Sequence, residues 1–246
     1  MRKNIVYAIV ILLIGFIGGM TANLILPSLA DLPPFSYINL IEYLSDGTTI
    51  INTTEEITIT ENQALSEAIS KVSPALVVIE AYQGQVLQKQ GSGFVVTADG
   101  LVITAADLIP TYHTKIMVVH QDWQQEASVQ QVDLENGLAL LQIEKNNLPV
   151  VSMVDLNQLQ LGQRVILIGC EKDTAAQVIY HFINIGHIRS IKDQTLSLNL
   201  EEGDVLANGG PLVDIKGQVI GLNSFDKVGL RKTITVAKIK KMIFTP

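Results

Sequence analysis

Cysteine is all but missing from this chain: Cys170 stands alone among 246 residues, so no disulfide closes within it. Charge is scarce and tilted toward acid, with 17% charged residues and a formal net charge of −7. Without a basic excess to read a phosphate backbone, nucleic acid is excluded as a partner class. The four histidines form no H-E-x-x-H motif, and one cysteine cannot make a paired Cys/His site. No metal is expected, and no other cofactor is implied. Disorder is excluded by a hydrophobic content of 48%. Long uncharged runs are also absent, with one exception.

That exception spans residues 4–26, NIVYAIVILLIGFIGGMTANLIL. Its length matches what a helix needs to cross a hydrocarbon core of ~30 Å. Arg2 and Lys3 precede it and Asp31 follows it, so the positive-inside bias places the N-terminus in the cytoplasm and the remainder outside. A cleaved signal peptide is the competing reading, but the apolar run is too long and no A-x-A site follows. The expectation is therefore residues 1–26 as cytoplasmic tip and transmembrane helix, with the membrane as a partner through it.

Residues 27–62 carry Pro27, Pro33, Pro34 and Gly47 and a polar run, as a linker does, with a short strand in EEITIT. Thr60 and Gln63 have capping-box spacing, and Leu65, Ile69 and Val72 follow at helical spacing, which predicts a helix at about 62–72 ended by Pro74. Beyond it come short apolar or alternating runs bounded by turns, among them ALVVIEAY, GSGFVVT, GLALLQIE, QRVILIG, VIYHFINIGHIRSI, PLVDI, QVIGLNS and KTITVAKI. Such spacing predicts an all-β sandwich or barrel, with tight turns at Asp99-Gly100 and Lys216-Gly217.

Five segments, in order, resemble the trypsin-like serine proteases, and within them the membrane-anchored bacterial HtrA-type branch: AISKVSPALVVIEA, QGSGFVVTADGLVITAADLI, DLENGLALLQIE, LGQRVILIG and NGGPLVDIKGQVIGLNS. The resemblance implies a trypsin-like double β-barrel across 63–246, with barrels at about 73–150 and 151–240 and an active site between them. Peptide-binding PDZ domains often follow in this branch. None is expected here, because few residues remain after the second barrel.

The same resemblance locates three catalytic positions, and none holds its usual residue. The base position, three residues after Thr104, is Asp107; the orienting carboxylate's place is Gly137; the nucleophile's place, before Gly209-Gly210-Pro211-Leu212, is Asn208. Acyl transfer in this class needs a hydroxyl whose proton passes to an imidazole held by a carboxylate. An amide is not a useful nucleophile, and an aspartate is a weak base at neutral pH. The oxyanion hole takes backbone N–H groups from positions 206 and 208, and Leu206 stands where the family places glycine. No catalytic residue is expected, and the chain reads as a pseudoprotease.

Other chemistry-bearing residues have ordinary readings. His113 lies six residues past Asp107; His181 and His187 share a strand face about 20 Å apart at ~3.3 Å per residue; His120 belongs to a surface strand. Cys170 reads as a buried thiol, and Ser92, Gly91, Gly93, Gly209, Gly210 and Gly221 as scaffold positions. Trp123 in QDWQQEASVQQ packs in a polar hairpin, or forms a recognition edge. KIKKMIF is a small basic cluster within reach of anionic lipid, and Asn52-Thr53-Thr54 fits a glycosylation sequon. The leading function is binding or regulation of a protein or peptide, with a second copy of the chain or an active protease homologue open as partner. An active serine-type endopeptidase with a displaced site and a structural envelope protein are the alternatives.

Overall fold

The computed structural model describes residues 7, 9–16, 18, 62–110, 115–173, 175–192, 195–200, 207–225, 229 and 231–244. The chain divides into two compact units, Met1–Thr60 and Glu61–Pro246. In the first, the described residues between 7 and 18 are helical and exposed. Among the described residues no helix is long and apolar enough to cross a membrane. Most of the 4–26 run lies outside them, as do the linker from 27 to 61, the EEITIT strand and the Asn52 sequon.

The second unit opens with helix α1 (62–72), which buries Leu65, Ala68 and Val72, one face at three- and four-residue spacing. Ser73 Oγ donates to the Ile69 carbonyl, and Pro74 sits in the 3-10 turn Ser73–Ala75 that ends the helix. Six strands then close a barrel: β1 (Leu76–Gln83), β2 (Val86–Val95), β3 (Leu101–Ala105), β4 (Lys115–His120), β5 (Trp123–Asp133) and β6 (Leu138–Ile143), in the order β1-β2-β3-β6-β5-β4. Closure leaves no free edge to manage.

The second sheet comprises β7 (Ser152–Met153), β8 (Arg164–Asp173), β9 (Val178–Lys192), β10 (Thr195–Leu200), β11 (Pro211–Asp214), β12 (Gln218–Phe225) and β13 (Arg231–Thr235). Its order is β10-β9-β8-β11-β12-β13, with β7 parallel to β12. It curls into the second barrel of a trypsin-like double-barrel fold, and a cavity of about 360 Å³ marks the seam between β10 and β13. The expected turns close β2 onto β3 at Gly100 and β11 onto β12 at Gly217, each at positive φ.

Strand β8 shows why its sequence is an unbroken apolar run rather than an alternation. Val165 and Leu167 fill the core of the second barrel, while Ile166, Ile168 and Cys170 join the larger core shared with the first. Both faces are buried, so each position must be apolar. Full burial of one such side chain contributes roughly 1.5–3 kcal/mol. Polar links also cross between the barrels: Gln90 Nε2 donates to the Lys172 carbonyl at 3.1 Å, and the buried Glu80 carboxylate lies 4.0 Å from Lys172 Nζ.

One strand reading is corrected. KTITVAKI does not run as a single strand: β13 stops at Thr235, and helix α2 (Val236–Phe244) begins at once. Val236, Ile239 and Met242 are its buried positions, a three-residue repeat that competes with the two-residue alternation. The KIKKMIF cluster is therefore a docked helix. Its Ile239 and Met242 face the protein and Lys240 bonds Asp155 Oδ1 at 2.7 Å, while Lys241 and Phe244 stay exposed.

Candidate functional site

The three positions singled out by sequence converge at one place between the barrels. Asp107 is carried by the 3-10 turn Ala106–Leu108 after β3. Gly137 ends the β5–β6 connection, and its carbonyl accepts the Ala106 N–H at 2.9 Å, so it is tied to the Asp107 turn. Asn208 precedes β11 in the second barrel, and its Nδ2 donates to Asp107 Oδ2 at 2.7 Å. A carboxylate and a carboxamide thus meet where the resemblance implies an imidazole and a hydroxyl.

Asn208 is held from several sides. Its carbonyl accepts the Ser92 N–H at 2.8 Å from β2, and its side chain is buried, with Oδ1 lacking a hydrogen-bond partner. Such an orphaned acceptor costs on the order of 1–3 kcal/mol. Asp107 is exposed, and Lys89 Nζ donates to its backbone carbonyl. The next residue, Gly209, has φ +83°, and a β-carbon there would lie 2.1 Å from the Ser92 carbonyl. Only glycine passes this point, and its N–H donates to the Asn223 carbonyl at 2.8 Å.

Gly137 also holds a positive φ, +81°. A β-carbon there would point at Ile234 Cδ1, 3.3 Å away, and Ser224 Oγ, 3.6 Å away. A carboxylate at this position would aim toward the second barrel. Without one, nothing at 137 can orient a base.

Ser92 has a use that sequence did not reveal. It is fully buried, with its Oγ accepting the Cys170 N–H at 2.9 Å and donating to the Cys170 carbonyl at 3.2 Å. Its hydroxyl clamps one barrel to the other and is closed to substrate. Thr104 Oγ1 donates to the Ser92 carbonyl at 2.7 Å, which extends the clamp. Cys170 Sγ donates to the Val77 carbonyl, and burial pushes its thiol up to about 12, so the thiolate is out of reach. Lys89 was missed as well, since no spacing marks a lysine that crosses from β2 to the Asp107 turn.

The remaining expectations separate. His181 and His187 both lie on β9, paired with Cys170 and Arg164, six positions apart. His120 ends β4 and stacks on Trp123, ring centroids 5.2 Å apart, so the Gln-rich stretch is indeed a hairpin with a packed tryptophan. His113 and Leu206 lie outside the described residues. Among the described residues no group of three or more His, Cys, Asp or Glu side chains is placed to hold a metal.

Comparison with known proteins gives this geometry a family. A model described as the trypsin-like peptidase domain matches residues 91–222, just over half of the chain. Serine protease HTR4 of Rattus norvegicus is 30% identical over 181 residues, 67% of this chain and 36% of the relative. Serine protease HTRA1A of Danio rerio is 28% identical over 194 residues, 73% of this chain and 40% of the relative. The crystal structure of the serine endoprotease from Yersinia pestis superposes with a TM-score of 0.62 at 23% identity, over 73% of this chain and 65% of that one, a likeness of fold. The chain spans 36–42% of the length of the curated relatives it matches. It belongs to the trypsin-like peptidase family, in its HtrA-type branch.

Proposed function

We propose that this protein is a membrane-tethered, catalytically inactive member of its family that binds or regulates a protein or peptide outside the cytoplasm. The observation that carries the reading is the Asn208–Asp107 hydrogen bond at 2.7 Å. In a working site that contact would join a nucleophile to its base. Here the donor is an amide whose nitrogen lone pair is delocalised, and the acceptor is an exposed carboxylate in the place of an imidazole. Gly137 offers no side chain to orient anything, and Leu206 stands at the oxyanion-hole position that the family gives to glycine. Loss of a whole triad costs roughly a millionfold in turnover in the subtilisin example.

The uncharged run at 4–26 behind Arg2 and Lys3 supports the tether. An extended peptide could add to a barrel edge beside the old cleft, or the domain could assemble with a second copy or an active homologue. The names of the relatives favour one competing reading, an active endopeptidase. Both are tested together by incubating the full-length protein in detergent with quenched fluorescent casein and a fluorophosphonate probe. Neither hydrolysis nor labelling is expected. Casein cleavage that disappears on a point change in this chain would overturn the inactive reading.

A further inference from the structure

The degenerate cleft is not the only place where the two barrels part. The β4–β5 hairpin tip and the start of β9 enclose two cavities of about 480 and 400 Å³, both bounded by His120, Trp123 and Ile179. Neither is lined by Asp107, Gly137 or Asn208. Each volume lies in the range of ligand pockets. Because they share a wall, a ligand filling both must be elongated.

Three further observations give this crevice a chemistry. Its floor is apolar, with Leu76, Val78 and Leu148 among its lining, beside the His120–Trp123 stack. Of its two lining lysines, Lys172 is already paired with the buried Glu80 carboxylate at 4.0 Å, which leaves Lys145 as the cation open to a ligand. Lys145 Nζ lies over the Trp123 ring, 5.6 Å from the centroid, and pairs with no carboxylate among the described residues; Lys172 lines the second cavity; Asp122 is the carboxylate on the rim. Finally, Asn147 and Gln177 are the two non-glycine residues held at positive φ among the described residues, and one lines each cavity. Backbone held in this sparsely populated region gathers at ligand clamps.

We infer that this crevice is a second binding site, distinct from the degenerate cleft, for an extended peptide segment carrying an acidic side chain beside a bulky apolar one. The apolar side chain packs on the floor near Trp123, and the carboxylate replaces the indole face as the partner of Lys145. Burial holds the His120 imidazole below its ordinary value, and burial with the nearby His120 does the same for His181. Both rings are therefore neutral at pH 7 and offer hydrogen bonds, and Lys145 supplies the charge. The site stands whether or not the chain is inactive as a protease.

Trp123 is the single tryptophan, so its fluorescence reports on this crevice alone. The full-length protein in detergent would be titrated with acetyl-Leu-Glu-Phe-Glu-Leu-amide, and with its Gln and Lys counterparts. A saturable change is expected with the acidic peptide, about tenfold weaker with the Gln peptide and absent with the Lys peptide. Lys145→Glu should weaken the acidic peptide by at least about tenfold with its circular dichroism unchanged, whereas Asp107→Ala should leave the titration as it was. No saturable response to the acidic peptide, equal binding of all three, or indifference to Lys145→Glu would each overturn the inference. Sensitivity to Asp107→Ala would also overturn it, by moving the binding to the degenerate cleft.

Discussion

Substituting Asn208→Asp changes one NH₂ for an oxygen and nothing else in size, yet it turns the contact at the centre of the cleft into two facing carboxylates. The present donor-to-acceptor distance is 2.7 Å. Two like charges about 4 Å apart repel by about 4 kcal/mol at an effective dielectric of 20. Asp107 is exposed, which screens the pair, so about 2 kcal/mol is the expected penalty at neutral pH. The sign follows from linkage: repulsion raises the folded pair's apparent pKa above the unfolded carboxylate value near 3.9. The penalty is therefore absent below about pH 4 and sets in as pH rises through the raised value, about 1.5 units higher for 2 kcal/mol. Thermal melts of variant and parent at matched pH supply the assay. A deficit of about 4–8 °C is expected at pH 7, shrinking toward zero near pH 4. A deficit that is the same at both pH values, or larger in acid, would refute the contact as the source of the effect.

Two glycines at positive φ should respond very differently to alanine. Gly209→Ala places a methyl 2.1 Å from the Ser92 carbonyl and should cost more than about 3 kcal/mol, while Gly162→Ala, with φ +77° and nothing within 4 Å, should cost only about 1–2 kcal/mol; urea denaturation separates them. Cys170, with its thiol pushed up to about 12 and no exposed surface to speak of, should resist a disulfide reagent at pH 8 in the native protein and react only as fast as the chain opens. Labelling of the folded protein at the rate of a free thiol would contradict the burial described here.

How far the sequence discloses this molecule depends on the kind of residue asked. Val165 to Cys170 could be read as a strand from apolar content alone, though not as one buried on two faces, because an unbroken run is silent about what lies against each side. The junction at Thr235 was misread because Val236 continues the alternation of ITV one residue past the end of the ladder, and only the spacing of Val236, Ile239 and Met242 betrays the helix. Asp107, Gly137 and Asn208 were legible as positions because they sit inside runs of recognisable order. Their partners were not. Nothing local to Ser92 announces a clamp on Cys170, 78 residues away, and nothing in EKNN announces that its lysine faces the single tryptophan.

The cleft keeps its shape with Asp107, Gly137 and Asn208 at its three central positions, and the hydrogen bonds explain how. Ala106 N–H to the Gly137 carbonyl, Ser92 N–H to the Asn208 carbonyl and Gly209 N–H to the Asn223 carbonyl fix all three positions through backbone. The side chains at 107 and 208 contribute one further link, the amide to the carboxylate. A net hydrogen bond to a charged group is worth about 1.5–3 kcal/mol, small beside the buried core on either side. Side chains at these three positions can therefore change while the scaffold persists. The limits differ: placing a carboxylate at 137 must contend with φ +81° and with Ile234 Cδ1 at 3.3 Å, whereas a hydroxyl at 208 meets no such obstacle. Substitution at the three positions is thus unequal in cost, with position 137 the least tolerant of a side chain.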